Sequence, residues 1–97
     1  MRMFERLYDT AEQANIQFVG YASERARYDF GIVYTTAFFG KPLIICMQTN
    51  RSSLLDYDDL DNLLYLQRAF HLDAREADEV SVFLKQLIPT MPVKEQY

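Results

Sequence analysis

The chain has one cysteine and one histidine, Cys46 and His71, which in principle could act together as nucleophile and base. Cys46 lies in the most apolar segment, residues 43–47, where a thiolate is disfavoured and the residue is inert. His71 follows a predicted helix, where the helix dipole and a capping role explain it. Zinc sites usually need three or four nitrogen or sulfur ligands, and a single histidine cannot form a multi-histidine site. We therefore expect no catalytic residue, no metal centre and no cofactor.

Four aspartates form the densest acidic cluster of the chain: Asp56, Asp58, Asp59 and Asp61. Carboxylate oxygens are ligands of hard divalent cations, but the spacing lacks the central glycine and distal glutamate of a calcium-binding loop. Acids are also favoured at the N-terminus of a helix. We interpret the cluster as the start of a helix, and the sequence leaves open whether it also binds a cation.

Arg51, Ser52 and Ser53 follow a predicted turn and offer donors to a phosphate or carboxylate. No glycine-rich loop or Walker-type lysine lies nearby, and a solvated arginine before an edge strand explains the same residues. A ligand pocket between sheet and helices would take its polar handle from a tyrosine. Arg51, Ser52 and Tyr34 are therefore the candidate residues of a small-anion site.

Phe38 and Phe39 are adjacent and lie in or beside the connecting segment 37–42. A strand would point only one of two adjacent rings inward, so a true loop leaves at least one exposed. Exposed aromatic rings are typical of protein contact surfaces. Phe38 and Phe39 are therefore the candidate partner-binding residues, with core packing as the alternative.

The secondary-structure elements that position these residues follow a simple order along the chain, with the strands first and the helices last. Strands are predicted at 16–22, 27–35, 43–48 and 52–55, where β-branched and aromatic residues are dense and turn residues intervene. The second strand alternates cleanly, with Tyr28, Phe30, Ile32 and Tyr34 on the packed face. The third strand is apolar on both faces, which predicts a place inside the sheet.

Two helices are predicted at about 58–70 and 74–87. The first has an apolar stripe of Leu60, Leu63, Leu64 and Phe70. The second begins with a capping box formed by Asp73 and Glu76, and its stripe is Ala77, Val80, Leu84, Leu87 and Ile88. This order predicts an α+β fold, in which two C-terminal helices cover one face of a small antiparallel meander of three to four strands.

Length and charge limit the remaining possibilities. The 97 residues predict one domain, with an ordered core at about 7–88 and a flexible tail at 89–97. The net charge of −4, with scattered lysines and arginines, argues against nucleic-acid binding. No apolar run approaches a membrane span, and the charged N-terminus does not suit a signal peptide. We expect a cytoplasmic protein.

Three segments occur in sequence, RYDFGIVYTTAFFGKPLIICMQTNRSSLL, DDL and YLQRAFHL, and an acidic amphipathic helix follows them. In these segments, over roughly residues 7–88, the chain resembles an uncharacterised family of short proteins from Gram-positive bacteria of the Bacillus and Staphylococcus type. The resemblance implies a cytoplasmic bacterial protein. It implies no reaction, ligand or catalytic residue.

Three functions are compatible with these residues. The first is a protein-interaction or regulatory module, acting as a homodimer or on another protein through Phe38 and Phe39 or a free sheet edge. The second is a sensor that binds an anionic metabolite. The third is an enzyme, for which Asp29 beside Arg27 is a weak candidate because a solvated ion pair explains both residues. We predict the first.

Overall fold

The sheet is an antiparallel meander, as predicted. The computed structural model describes residues 3–88, and the four strands lie in sequence order across the sheet. The third strand lies between the second and fourth, so the prediction that the most apolar strand is internal is confirmed. It ends at Cys46 rather than at residue 48, because residues 47–50 turn. The strands are β1 (Asn15–Ala22), β2 (Arg27–Tyr34), β3 (Leu43–Cys46) and β4 (Arg51–Leu54).

Short polar turns join the outer pairs of strands. Between β1 and β2, the Ser23 amide donates to the Ala26 carbonyl at 2.8 Å. The Ser23 hydroxyl accepts from the amides of Arg25 and Ala26, each at 3.2 Å. Between β3 and β4, Asn50 adopts a left-handed conformation with φ of 59°, which an asparagine tolerates well. The turn chemistry read from the sequence therefore sets the register of both hairpins.

The first helix is shorter than predicted. Residues Asp58–Asp61 form a separate 3-10 turn, and α1 spans only Leu63–Phe70, with the Asn62 side chain accepting from the Tyr65 amide at 3.1 Å. Asp56 and Asp59 exchange side-chain-to-backbone hydrogen bonds of 2.9 and 3.0 Å, and such bonds compete with helix formation. The prediction that the aspartates begin the α-helix is therefore wrong.

The second helix, α2, spans Ala74–Lys85 and begins as predicted. The Asp73 carboxylate accepts from the Glu76 amide at 2.8 Å, and the Glu76 carboxylate accepts from the Asp73 amide at 2.9 Å. These two bonds complete the capping box. Downstream, the buried Ser81 hydroxyl donates to the Leu60 carbonyl at 2.7 Å and ties α2 to the 3-10 turn.

Both helices pack on one face of the sheet, which we call the inner face. Phe30 of β2 contacts Phe70 of α1 edge-to-face at 6.0 Å, and Phe83 of α2 stacks on Tyr21 of β1 at 4.5 Å. Leu64, assigned to the apolar stripe of the first helix, is instead exposed. The buried apolar residues are Tyr28, Phe30, Ile32, Ile44, Cys46, Leu55, Leu60, Leu66, Phe70, Leu72, Ala77, Val80, Leu84 and Ile88.

The chain before β1 has no regular secondary structure from residue 3 to residue 14. We call this segment the N-terminal arm. The tail predicted at 89–97 lies outside the described residues. Within residues 3–88, no helix is long and apolar enough to cross a membrane.

Candidate functional site

Phe38, Phe39 and Gly40 form a short 3-10 turn between β2 and β3, which we call the aromatic turn. Their φ angles are 55°, 65° and 74°, so three successive residues adopt the left-handed region. Glycine enters this region freely, but a bulky side chain there is an outlier that stores strain. The Phe39 side chain is 88% exposed and that of Phe38 is 52% exposed. The turn therefore directs two aromatic side chains outward at a cost in backbone energy.

Polar contacts on both flanks hold the aromatic turn. On its first side, the Glu12 carboxylate of the arm accepts from the Thr35 hydroxyl at 2.7 Å and from the Thr36 amide at 3.2 Å. These hydrogen bonds lower the pKa of the Glu12 carboxyl, led by the one from the Thr35 side chain. The Thr35 hydroxyl also accepts from the Ala37 amide at 3.0 Å. The base of the arm and the entry to the turn are thus one hydrogen-bonded unit.

On the other side, Lys41 links the turn to the aspartate cluster. Its Nζ lies 3.1 Å from an Asp59 oxygen and 3.7 Å from an Asp56 oxygen. The hydrogen bond to Asp59 raises the pKa of Lys41. Burial alone would raise the pKa of Asp59, but its hydrogen bonds with the Asp56 amide and Lys41 outweigh burial and lower it. We call this group the Lys41–Asp59 link.

The outer face of the sheet carries apolar side chains at the end next to the aromatic turn. Directly opposed residues share a face, and one row of them crosses the sheet: Ile16, Val33, Leu43 and Leu54. The next row contributes Phe18 and Ile45, on either side of Gly31. Phe18 is 72% exposed and Ile16 is 55% exposed. We call these six apolar side chains the outer-face patch.

The opposite end of the outer face is polar. Arg27 pairs with Asp29 at 3.1 Å, as the sequence predicts, and Asp29 also accepts from the Gln48 side chain at 2.7 Å. The hydrogen bond from Arg27, followed by that from Gln48, lowers the pKa of Asp29. Apart from Met47, which is 42% exposed and lies beside Gly31, the apolar side chains of the outer face lie at the end that carries the aromatic turn and the base of the arm.

The N-terminal arm adds further exposed apolar side chains. Met3, Phe4, Leu7 and Tyr8 are between 68% and 85% exposed. The ion pair between Arg6 and Asp9, at 2.9 Å, lies on the surface within the arm itself. These four side chains therefore contribute little to the core of the chain.

The three residues predicted to bind an anion do not converge. Tyr34 lies on the inner-face side of β2 and donates its hydroxyl to the Gln17 side chain at 2.8 Å. Arg51 opposes Cys46 and so lies on the inner-face side of β4, whereas its neighbour Ser52 lies on the outer face. The structure assembles no common site from them, and binding at any one of them stays a prediction.

A groove of about 400 Å³ does lie between the sheet and α2. Its walls include the carboxylates of Asp78 and Glu79, which would repel an anion. The Glu79 carboxylate also accepts from the Ser23 hydroxyl at 3.0 Å. The lining residues are Tyr21, Asp78, Glu79, Val82, Phe83 and Gln86.

The remaining chemical candidates stay apart. Cys46 is buried in the sheet core, whereas His71 is exposed after α1, where it closes the helix with a φ of 61°. Asp61 pairs with Lys85, so lysines face both halves of the aspartate cluster. Across the part of the chain that the structure describes, no group of three or more histidine, cysteine, aspartate or glutamate side chains could hold a metal ion.

Comparison with known proteins shows the family to which the chain belongs. Residues 7–86, most of the chain, match the family described as SAV0927-like. The chain belongs to this family. It is an uncharacterised family, as the resemblance in the sequence implies, so membership assigns no activity. No curated protein matches the chain.

Sequence reasoning missed the outer-face patch, and it left open whether residues 1–13 form a short helix or an extended arm. The sequence did contain a signal for this patch. The third strand is apolar on both faces, but the two predicted helices can cover only one face of the sheet. The side chains of Leu43 and Ile45 on the second face had to lie against something outside the helical layer. Ile16 and Phe18 extend that face on β1.

Proposed function

We propose that this protein is a small protein-interaction module of the cytoplasm of Gram-positive bacteria, acting through protein contacts as a homodimer and without catalysis of its own. The aromatic turn carries the proposal. Two bulky residues, Phe38 and Phe39, adopt left-handed conformations that present exposed rings, and strain of this kind clusters at functional sites. Glycine or asparagine would adopt these conformations with less strain than phenylalanine.

The surroundings support a protein partner. The outer-face patch lies at the same end of the molecule, with Phe18 and Ile16 as its most exposed members, and exposed apolar surface of this kind marks contact sites. Aromatic residues are enriched in protein interfaces because they bury much area at little entropic cost. The alternative of an anionic metabolite gains no support, because Arg51, Ser52 and Tyr34 do not converge and the groove beside α2 is acidic.

The test replaces both rings. We expect the double variant Phe38→Ser, Phe39→Ser to keep its fold, because both side chains are exposed, and to lose the contacts that the wild type makes. Light scattering at several concentrations reports self-association. A pull-down of tagged protein from lysate of its host, with mass spectrometry, reports other partners.

A matched control removes exposed apolar area from the helical layer. Leu64 and Val82 are 56% and 58% exposed on α1 and α2, so the variant Leu64→Ser, Val82→Ser makes a comparable change on the other side of the molecule. The control should behave as the wild type. If the wild type is monomeric and captures nothing that the Phe38, Phe39 variant fails to capture, the proposed function is wrong.

A further inference from the structure

The N-terminal arm and the outer-face patch are two exposed apolar surfaces of one chain. The arm presents four apolar side chains that are at least 68% exposed, and the patch presents Phe18 at 72% and Ile16 at 55%. If a contact buried these surfaces, they would stabilise the complex by a free energy proportional to the apolar area removed from water. In the structure the exposed part of the patch is its β1 side, whereas Val33, Leu43, Ile45 and Leu54 are half-buried.

The arm begins at the rim of the patch. Glu12 fixes its base to Thr35 and Thr36, directly after β2 and beside the patch row that contains Val33. Residue 14 leads into β1, whose Ile16 starts the same row. The arm therefore leaves each molecule next to its patch, which is the position from which it meets a second copy docked there.

The dimensions suit this exchange. At about 3.3 Å per residue, an extended segment from residue 3 to residue 14 reaches roughly 40 Å. Four strands spaced about 4.8 Å apart make a face roughly 14 Å wide. The arm can therefore cross the whole patch of a neighbour while its base stays attached to its own sheet.

The area also suits a dimer. Aromatic side chains each bury about 150–250 Å². The six exposed side chains of the arm and of β1 are 55–85% exposed, so one copy offers roughly 800 Å², which is the area that a stable interface takes from each partner. In a dimer with a twofold axis, every contact occurs twice. The arm of each copy therefore lies on the patch of the other, and both surfaces of both copies are buried. No second kind of chain is needed to cover either surface.

We propose that the occupant of the outer-face patch is the N-terminal arm of a second copy of this chain, with the two arms exchanged about a twofold axis. The inference rests on the proposed homodimer and adds its interface. The contacts are made by Met3, Phe4, Leu7 and Tyr8 of one copy and the patch side chains of the other. The aromatic turn lies at the border of this interface, next to the base of the arm.

The first experiment measures the dimer dissociation constant by sedimentation. The variant Phe4→Ser, Leu7→Ser changes two exposed side chains of the arm, so the fold should remain, as circular dichroism would report. We expect the dissociation constant to rise at least about tenfold. The control Leu64→Ser, Val82→Ser, on the helical layer, should leave it unchanged.

The second experiment locates the contact. Chains with Leu7→Cys and chains with Phe18→Cys are co-expressed with different tags and treated with a short bismaleimide, to which buried Cys46 is inaccessible. We expect a covalent dimer carrying both tags, several-fold more abundant than with Leu7→Cys and Val82→Cys. A chain carrying both Leu7→Cys and Phe18→Cys should cross-link between copies and give a covalent dimer.

Each contrary result has a separate meaning. The exchange of arms is wrong if the arm substitutions leave the dissociation constant unchanged. It is also wrong if Leu7→Cys cross-links no better to Phe18→Cys than to Val82→Cys. Neither result contradicts the homodimer itself. A cross-link at monomer mass in the double-cysteine chain also overturns the exchange, because the arm then covers its own patch. A wild type that is monomeric throughout overturns both the exchange and the homodimer.

Discussion

At the scale of single residues, the conformation of Phe39 separates function from stability. A φ of 65° costs a bulky residue about 1–2 kcal/mol relative to glycine. We expect Phe39→Gly to keep the fold and to raise the free energy of unfolding by up to about 1 kcal/mol, measured by urea denaturation. The same variant should weaken self-association or partner capture.

A comparison at Phe30 sharpens that prediction. Phe30 is 1% exposed, so Phe30→Ala should cost about 3–5 kcal/mol through the cavity it leaves. If Phe39→Gly destabilises the protein on a comparable scale, Phe39 is a packing residue and the functional interpretation of the aromatic turn is wrong.

At the scale of elements, the Lys41–Asp59 link joins the aromatic turn to the 3-10 turn before α1. Both side chains are partly exposed, which limits an ion pair of this kind to about 0.2–1 kcal/mol. Asp59 also exchanges hydrogen bonds with Asp56. Losing these bonds would lower the free energy of unfolding by a comparable amount. The link therefore restrains the exit of the aromatic turn more than it stabilises the whole fold.

The link predicts a pH dependence. The pKa of Asp59 is lowered in the folded state, so its stabilisation is complete above its unfolded value of 3.8 and is lost as the pH falls through the folded value. We expect Asp59→Asn to lower the free energy of unfolding by about 1 kcal/mol at pH 7. Urea denaturation from pH 7 to pH 3 should give a flatter curve for the variant than for the wild type. Asp58→Asn, a change at an exposed neighbouring carboxylate, is the control, and an equally flat curve for it would contradict the assignment.

At the scale of the whole molecule, one face of the sheet is covered by the chain's own helices and the other is open next to an apolar arm. If copies cover this face in pairs, unfolding is coupled to dissociation and the melting temperature depends on concentration. A hundredfold rise in protein concentration should raise it by about 5 °C for a chain of this size. The variant Phe4→Ser, Leu7→Ser should lose most of this dependence, and a wild-type melting temperature that is independent of concentration would contradict the dimer.

Much of the fold was predictable because its signals are local. The alternation in β2 assigns Tyr28, Phe30 and Ile32 to the buried face, since side chains of a strand alternate with a period of two. The capping box at Asp73 and Glu76 marks the start of α2 for an equally local reason. The first helix was predicted less well, because side-chain bonds of Asp56 and Asp59 compete with the helix over a few residues.

The candidate site was predictable only in part. Phe38 and Phe39 could be selected from the sequence because two adjacent aromatics cannot both point inward from a strand. Arg51, Ser52 and Tyr34 were selected for their chemistry. The strand alternation placed Ser52 on the face opposite to the other two, and the register set Arg51 level with Phe30, four residues from Tyr34. Residue type therefore identified candidates, but it could not show which of them meet.

By itself, the sequence determined the strands, the turns, the second helix and the inward residues, because each follows from the periodicity or turn chemistry of a few neighbouring residues. Only the tertiary structure decided which face of β1 the helices cover, and so that Ile16 and Phe18 remain exposed. It alone also gave Phe38 and Phe39 their left-handed conformations, because that strain persists only where contacts distant in sequence, such as Glu12 with Thr35 and Lys41 with Asp59, hold the segment in place.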